Sequence, residues 1–245
     1  MESESISKLS VIVLTHNEEK NIANILEDVT GKVREPFEIL VVDDSVDNTA
    51  GIVRKTSTAR PNIRLVSQEG KGYTSAITTA VKHFDGDAMV VIVGDLSDDI
   101  RDIEKMREKM EEGYDVVCAS RYMKGGAKIG GSFLQSIFSY LVGKSLKILV
   151  GIPTCDVSNS FKMYRKKIFN GIEIEDSSFA TSMQITLKAF FNGARIAEIP
   201  TVWRNRVEGS SKFFIKSQTK HYIYWYFWAL FKRIIVRIKH WRNSK

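Results

Sequence analysis

The chain has 245 residues, of which 43% are apolar and 27% charged, a balance ordinary for a folded soluble or peripheral protein. That length holds one large core, or one domain with an appendage. Its two cysteines, Cys118 and Cys155, show no CxxC spacing, which speaks against a disulfide framework or a zinc site and for reduced thiols in a cytosolic setting.

The net charge of +7 is unevenly placed: residues 209–245 hold nine Lys or Arg and no Asp or Glu, leaving the first 208 residues at −2. The opening MESESISKLS is polar and the apolar run after it covers only about six residues, so no signal peptide is expected.

In chain order, LSVIVLTH (9–16), FEILVVDD (37–44), IRLVSQ (63–68), AMVVIVGD (88–95) and YDVVCAS (114–120) are short runs rich in β-branched residues. Between them, EEKNIANILEDV and GYTSAITTAVKHF are apolar at helical spacing. This alternation predicts an α/β protein: a largely parallel sheet with helices on both faces and a ligand crevice at the carboxyl ends of the strands.

Three of the runs end in polar clusters at that rim. They are Thr15-His16-Asn17-Glu18, Asp43-Asp44-Ser45 and Asp95-Leu96-Ser97-Asp98-Asp99. Any one of them reads equally well as a helix cap, since Asn, Asp and Ser accept hydrogen bonds from exposed helix N–H groups. Three on one rim are better explained by a nucleotide site.

Further along, residues 133–152 place Leu134, Ile137, Phe138, Leu141, Val142, Ile148, Leu149 and Ile152 on one helical face, interrupted by Lys144 and Lys147. The run YIYWYFWALF (222–231) is followed by KRIIVRIKHWR. A spanning helix needs about 20 apolar residues, so this stretch is too short and too cationic to cross a bilayer. Aromatics beside Lys and Arg suit a headgroup boundary. Their bunching leaves little polar surface to track a nucleic-acid backbone, so no nucleic acid is expected. Burial against the sheet, or a homo-oligomer interface, is the alternative for either helix.

The segments VIVLTHNEEKNI, ILVVDDSVDNTA, GKGYTSAI, VGDLSDD and ASRYMKGG resemble, in order and spacing, the family-2 glycosyltransferases with the GT-A fold. CDVSNSFKMYRKKIF and IAEIPTVWRNRVEGSSKF resemble the dolichol-phosphate mannose synthase branch, so the likeness covers about residues 8–213. It implies a catalytic domain over 1–212 and a basic, aromatic, membrane-associating helical tail over 213–245. It also implies a nucleotide-sugar donor bound by Thr15, Asn17, Glu18, Lys71 and Gly94, with Asp43 or Asp44 against the base or ribose. Relatives carry Asp-x-Asp where this chain has Val93-Gly94-Asp95. Asp95, helped by Ser97, is then the expected ligand of Mg²⁺ or Mn²⁺, since Mg²⁺ needs only one or two carboxylates when substrate phosphates complete its shell. Asp98 and Asp99 read equally well as caps of the next helix.

Arg121, Arg206 and Lys212 match family cations for the donor and acceptor phosphates. With Asp95, Arg206 and Lys212 are the expected catalytic groups, because charge develops on the leaving diphosphate. Many relatives have glutamates near positions where this chain has Ala180 and Gln184. A hydroxyl acceptor needs a base, whereas a phosphate is already ionised at pH 7. The expectation is an inverting transferase acting on a polyprenyl phosphate at the cytoplasmic face of a membrane, peripheral or monotopic. Inversion is implied by the resemblance alone. Asp156 is the remaining base candidate and keeps open a sugar or glycolipid hydroxyl as acceptor; Val93 keeps open a non-catalytic nucleotide-binding scaffold.

Overall fold

The computed structural model describes residues 5–205 and 215–243. Strands β1 (Leu9–Thr15), β2 (Phe37–Asp43), β3 (Ile63–Ser67), β4 (Ala88–Val93) and β5 (Val116–Ser120) lie where the apolar runs place them. Helices α1 (Ile22–Lys32), α2 (Thr49–Ala59), α3 (Gly72–His83) and α4 (Asp102–Glu111) connect them. Then follow β6 (Ala127–Ile129), α5 (Phe133–Leu149), β7 (Lys162–Arg165), α6 (Thr181–Phe191), β8 (Ile196–Pro200), β9 (Val202–Arg204) and α7 (Ile215–Asn243).

The main sheet runs β3-β2-β1-β4-β7-β5-β8, and β6 pairs with β9 apart from it. All pairings in the main sheet are parallel except those of β7, which is antiparallel to both β4 and β5. The pleat sends alternate residues to opposite faces. Val11, Val13, Val41 and Val90 therefore pack with α1 and α4 residues such as Ile25, Leu26 and Met106. Ile12, Leu40, Val42 and Val91 pack with Ile77 of α3, Leu146 of α5, Met183 of α6 and Trp225 of α7. Both faces are covered, so every residue of β1 and β2 is buried.

The inserted β7 is the departure from the expected order. Its sequence, KMYR, carries charges that read as surface, yet Lys162 and Arg165 are buried. They are tolerated because their donors are used. Lys162 Nζ donates to the Val157 carbonyl at 2.7 Å and to Ser182 Oγ at 2.9 Å; Arg165 donates to the carbonyls of Met110 and Tyr114.

Helix α5 ends at Leu149, short of the expected 152. It meets the domain through Gly143 and Leu146. A Cβ on Gly143 would lie 1.9 Å from the Cys155 carbonyl oxygen, so only glycine permits this approach. The apolar face read from the sequence points away: Leu134, Leu141 and Ile148 are exposed.

Helix α7 divides the aromatic run. Trp225 and Ala229 are buried in the same cluster as Ile12 and Val91. Trp225 Nε1 donates to Asp176 Oδ2 at 2.7 Å, and Trp228 meets Phe191 edge-on. Ile223, Tyr224, Phe227, Phe231 and Ile234 remain exposed. A boundary at residue 212 therefore divides the sequence and not the packing, because the tail completes the domain's core. No helix among the described residues is long and apolar enough to cross a membrane. Trp225→Phe, which removes the donor and leaves Asp176 short of a partner, is expected to lower stability by about 1–3 kcal/mol in urea unfolding.

Candidate active site

The carboxyl ends of β1, β2 and β4 lie side by side. Register pairs Thr15 with Asp43 and Leu14 with Val93. Thr15 Oγ1 donates to Asp43 Oδ1 at 2.6 Å, and Ser45 Oγ donates to the same oxygen at 2.5 Å. Asn17, at φ 61°, donates its N–H to Ser45 Oγ, while its Oδ1 accepts from the Val46 N–H. Glu18 donates its N–H to Thr49 Oγ1 and accepts through Oε2 from Asn21 Nδ2. Asp43 is thus buried and holds the first and second rim clusters together. Asp44 is its half-exposed neighbour, with His16 Nδ1 3.6 Å from its carboxylate. Of the two carboxylates expected to meet the base or ribose, Asp44 is the one turned outward.

Lys71 lies exposed at the end of β3, between Gly70 and Gly72, both at positive φ. Gln68 shapes this turn by donating Nε2 to the carbonyls of Gly70 and Gly72 at 3.0 and 3.1 Å. Gln68 was not singled out in the sequence, and Ser45 only as part of the second rim cluster; both act as loop braces, a role that composition does not reveal.

Gly94 brings β4 against β1. A Cβ there would meet Thr15 Cγ2 at 2.9 Å, the Leu14 carbonyl at 3.1 Å and Glu18 Cγ at 3.2 Å. This close approach sets the buried Asp95 beside the first rim cluster. Leu96, at φ 60°, reverses the chain, and Ser97 donates its N–H to Asp95 Oδ1 at 3.1 Å. Ser97 is itself buried, and its carbonyl accepts from the Arg204 N–H.

The next two carboxylates, which read alike as helix caps, are unlike in the structure. Asp99 accepts from Arg101 Nε at 2.9 Å and from the Arg101 backbone N–H, which braces the turn into α4. Asp98 does neither: burial and the nearby Asp95 charge push its carboxyl up to about 7, and its Oδ2 is shut off from solvent with no hydrogen-bond partner. A cleft of about 280 Å³ opens beside it on the α1 face of the sheet, between Ile25, Val93 and Arg204. It is distinct from the rim formed by Thr15, Asp43 and Lys71.

Among the described residues, no three His, Cys, Asp or Glu side chains are gathered so as to hold a metal ion by themselves. A divalent ion that takes part of its shell from substrate phosphates needs fewer protein ligands. Asp95 with the orphaned Asp98 oxygen fits such an ion: a buried carboxylate oxygen without a partner is costly, and a cation satisfies it.

Arg121 follows β5 and forms a two-pronged pair with Asp156. Nε reaches Oδ2 at 2.7 Å, a terminal nitrogen reaches Oδ1 at 2.8 Å, and the Arg121 N–H adds a third bond at 3.0 Å. Burial opposes charge on both groups, but their mutual attraction outweighs it. Asp156 is held below its ordinary carboxylate range, and Arg121 above its ordinary guanidinium range. Both Asp156 oxygens are committed to this pair, so the structure gives it the work of positioning Arg121 and not that of a base.

Ala180 and Gln184 are buried. Gln184 Oε1 accepts from the N–H groups of Glu175 and Asp176, and its Nε2 donates to the Glu173 carbonyl, so it latches the segment before α6. Arg206 and Lys212 lie outside the described residues.

These elements define an α/β fold of the GT-A type, with a mixed, mostly parallel sheet and a polar rim where nucleotides bind such sheets. The profile of Glycosyl transferase family 2 matches residues 10–172, and the chain belongs to that family of glycosyltransferases. It is 29% identical over 214 residues to a dolichol-phosphate mannosyltransferase of Pyrococcus furiosus, a match covering 84% of this chain and 59% of that protein. It is 28% identical to a dolichyl-phosphate hexose transferase of Haloferax volcanii, over 81% of this chain and 83% of that one. Glucosyl-3-phosphoglycerate synthase from Mycobacterium tuberculosis, solved with Mn²⁺, UDP and glucosyl-3-phosphoglycerate, shares the fold. Its TM-score is 0.64 at 18% identity, over 83% of this chain and 73% of that chain.

Proposed function

We propose that the protein is an inverting glycosyltransferase that moves a sugar from a GDP- or UDP-sugar to the phosphate of a polyprenyl phosphate at a membrane surface. The observation that carries this reading is the Arg121–Asp156 pair. The one acidic residue that the sequence offered as a base is neutralised by an arginine. A phosphate acceptor, ionised at neutral pH, needs no base. Its oxygen lone pair forms the new bond to the sugar C1 while the C1–O electrons leave with the nucleoside diphosphate, and no proton has to move. The family relatives named for dolichyl phosphates support the same acceptor.

Asp44 and Lys71 receive the nucleoside, Thr15, Asn17 and Glu18 shape its floor, and Arg121 faces phosphate charge, joined by Arg206 and Lys212. Asp95 and Ser97 would hold Mg²⁺ or Mn²⁺, which when bound would neutralise charge on the diphosphate. Release of nucleoside diphosphate from a panel of UDP- and GDP-sugars tests the proposal, with a polyprenyl phosphate in detergent. Release that depends on the lipid phosphate is the expected result. Release only with a sugar hydroxyl acceptor would reassign the acceptor, and donor binding without turnover would make the protein a scaffold.

The membrane surface is assigned to α5 and α7, which pack against each other. Phe133, Leu134, Leu141, Phe227 and Phe231 are exposed along them, with Lys144, Lys147 and Lys232 among them. Apolar side chains flanked by cations suit the boundary of an anionic leaflet, here the cytoplasmic one. Deleting the tail would take Trp225 from the core, so point changes are the cleaner probe. Phe227→Ser with Phe231→Ser should lower flotation with anionic vesicles about tenfold or more while leaving the melting temperature in place. Unchanged flotation would remove the surface.

A further inference from the structure

The short ribbon of β6 and β9 is tied to the site at both ends. The Thr201 N–H, just before β9, donates to the Ser120 carbonyl, and the Arg204 N–H at its close donates to the Ser97 carbonyl. Gly126, just before β6, lies on the Arg121 peptide: a Cβ there would meet the Ser120 carbonyl oxygen at 2.3 Å and the Arg121 carbonyl carbon at 2.9 Å. Lys128 follows two residues later, about 7 Å along a strand that rises about 3.3 Å per residue. Register pairs Lys128 with Trp203, whose neighbours Val202 and Arg204 line the cleft on the α1 face. Alternate residues of a strand point to opposite faces, so Lys128 and Trp203 are turned the other way. There Gly131, next to the α5 cap Ser132, lies against both: its Cβ would stand 3.4 Å from Lys128 Cε and 3.4 Å from the Trp203 ring.

Among the described residues Lys128 enters no ion pair; its ammonium lies over the Trp203 ring, 5.2 Å from the centroid. It is half-buried, and that burial, with the Arg121 charge added, holds its pKa below the ordinary lysine value. Arg121 brings no net charge of its own, because its guanidinium is matched by Asp156. A half-buried ammonium without a counter-ion favours an anion beside it. The place of Lys128 says which anion. β5, which leads to Arg121, stands three strands along the sheet from β1, about 14 Å at about 4.8 Å per strand, and so away from the nucleoside rim. On that side lie Phe133 and Leu134, exposed at the start of α5. We propose that Lys128 binds the phosphate of the lipid acceptor, supplying the net positive charge that the neutralised Arg121–Asp156 pair lacks. The assignment rests on the proposed function and adds to it a residue that grips the acceptor.

Rates of nucleoside diphosphate release by the full chain, measured against polyprenyl phosphate and against donor in turn, test it. Lys128→Met keeps an apolar stem on Trp203 and removes the charge. It should raise KM for the lipid phosphate about tenfold or more, the scale of one hydrogen bond to a charged group. KM for the donor, the melting temperature and flotation with anionic vesicles should stay at parental values, and Lys128→Arg should recover most of the loss. An unchanged KM for the lipid phosphate overturns the assignment while the proposed function stands. A raised KM for the donor gives Lys128 to the diphosphate instead, and a matching loss of flotation makes it part of the membrane surface; either result also overturns it. A deficit that Lys128→Arg does not relieve belongs to packing on Trp203 and has the same consequence. A parent whose release does not respond to lipid phosphate removes the acceptor reading and this assignment together.

Discussion

Asp95→Ala should lower the rate of nucleoside diphosphate release by about a thousandfold, the scale on which a single group that stabilises transition-state charge is felt. Asp95 lies at the end of β4, one residue past the close approach of Gly94 to Thr15, where the rim clusters converge. Its carboxylate is buried and held in place by the Ser97 N–H. The alanine variant loses both the anion and the acceptor of that N–H. Asp95→Asn, which keeps an acceptor, separates the two effects. Each should show the same deficit in turnover, and raised Mg²⁺ should recover more of it in Asp95→Asn. Turnover in Asp95→Ala within about tenfold of the parent would remove this residue from the chemistry, since the charge argument asks for far more.

The second large effect is on stability. Asp156→Ala should destabilise the fold by about 3–5 kcal/mol, because it leaves the Arg121 guanidinium buried without its counter-charge. Urea unfolding of parent and variant gives the difference, provided the slope is unchanged. Removing both members, as Arg121→Met with Asp156→Ala, should return much of the loss, since the uncompensated charge goes too. A general base at this position predicts the opposite pattern: lost turnover in a chain of near-parental stability. The sign with pH follows from the direction of the Asp156 shift. Its folded-state pKa lies below its ordinary value, so the pair's contribution is complete above the unfolded pKa of about 3.9 and is lost as pH falls through the folded value.

Much of the scaffold is written locally. LSVIVLT, FEILVVD and AMVVIV are apolar at both parities because each strand is covered on both faces, and continuous runs of that kind mark interior strands of a doubly covered sheet. GYTSAITTAVKH is apolar at helical spacing, and Ala76, Ile77 and Ala80 are its buried side. The rim clusters at Thr15, Asp43 and Asp95 follow directly, since a parallel sheet aligns the ends of its strands.

The rest depends on partners distant in sequence. Lys162 and Arg165 look like surface charges until Ser182, Tyr114 and Met110 supply their acceptors, which is why β7 is not legible as an interior strand. The face of α5 read as one apolar stripe is the outer one, because Gly143 lets the opposite side approach Cys155. Trp225 sits in the core with its N–H on Asp176, 49 residues away, and its ring in the cluster of Ile12 and Val91.

The sequence by itself determined the strand and helix alternation, the rim that gathers Thr15, Asp43 and Asp95, and the glycosyltransferase family. The first two follow from periodicity and residue order, which act over a few neighbours, and the family from the resemblance of the ordered segments. The tertiary structure alone decided that Asp156 serves Arg121, that Asp43 is a brace while Asp44 turns outward, and that Asp98 and Asp99 part company. The physical reason is that a carboxylate's role is set by which cation or donor reaches it. That depends on chain reversals such as the one at Leu96 and on pairings such as Arg121 with Asp156, which no local pattern encodes.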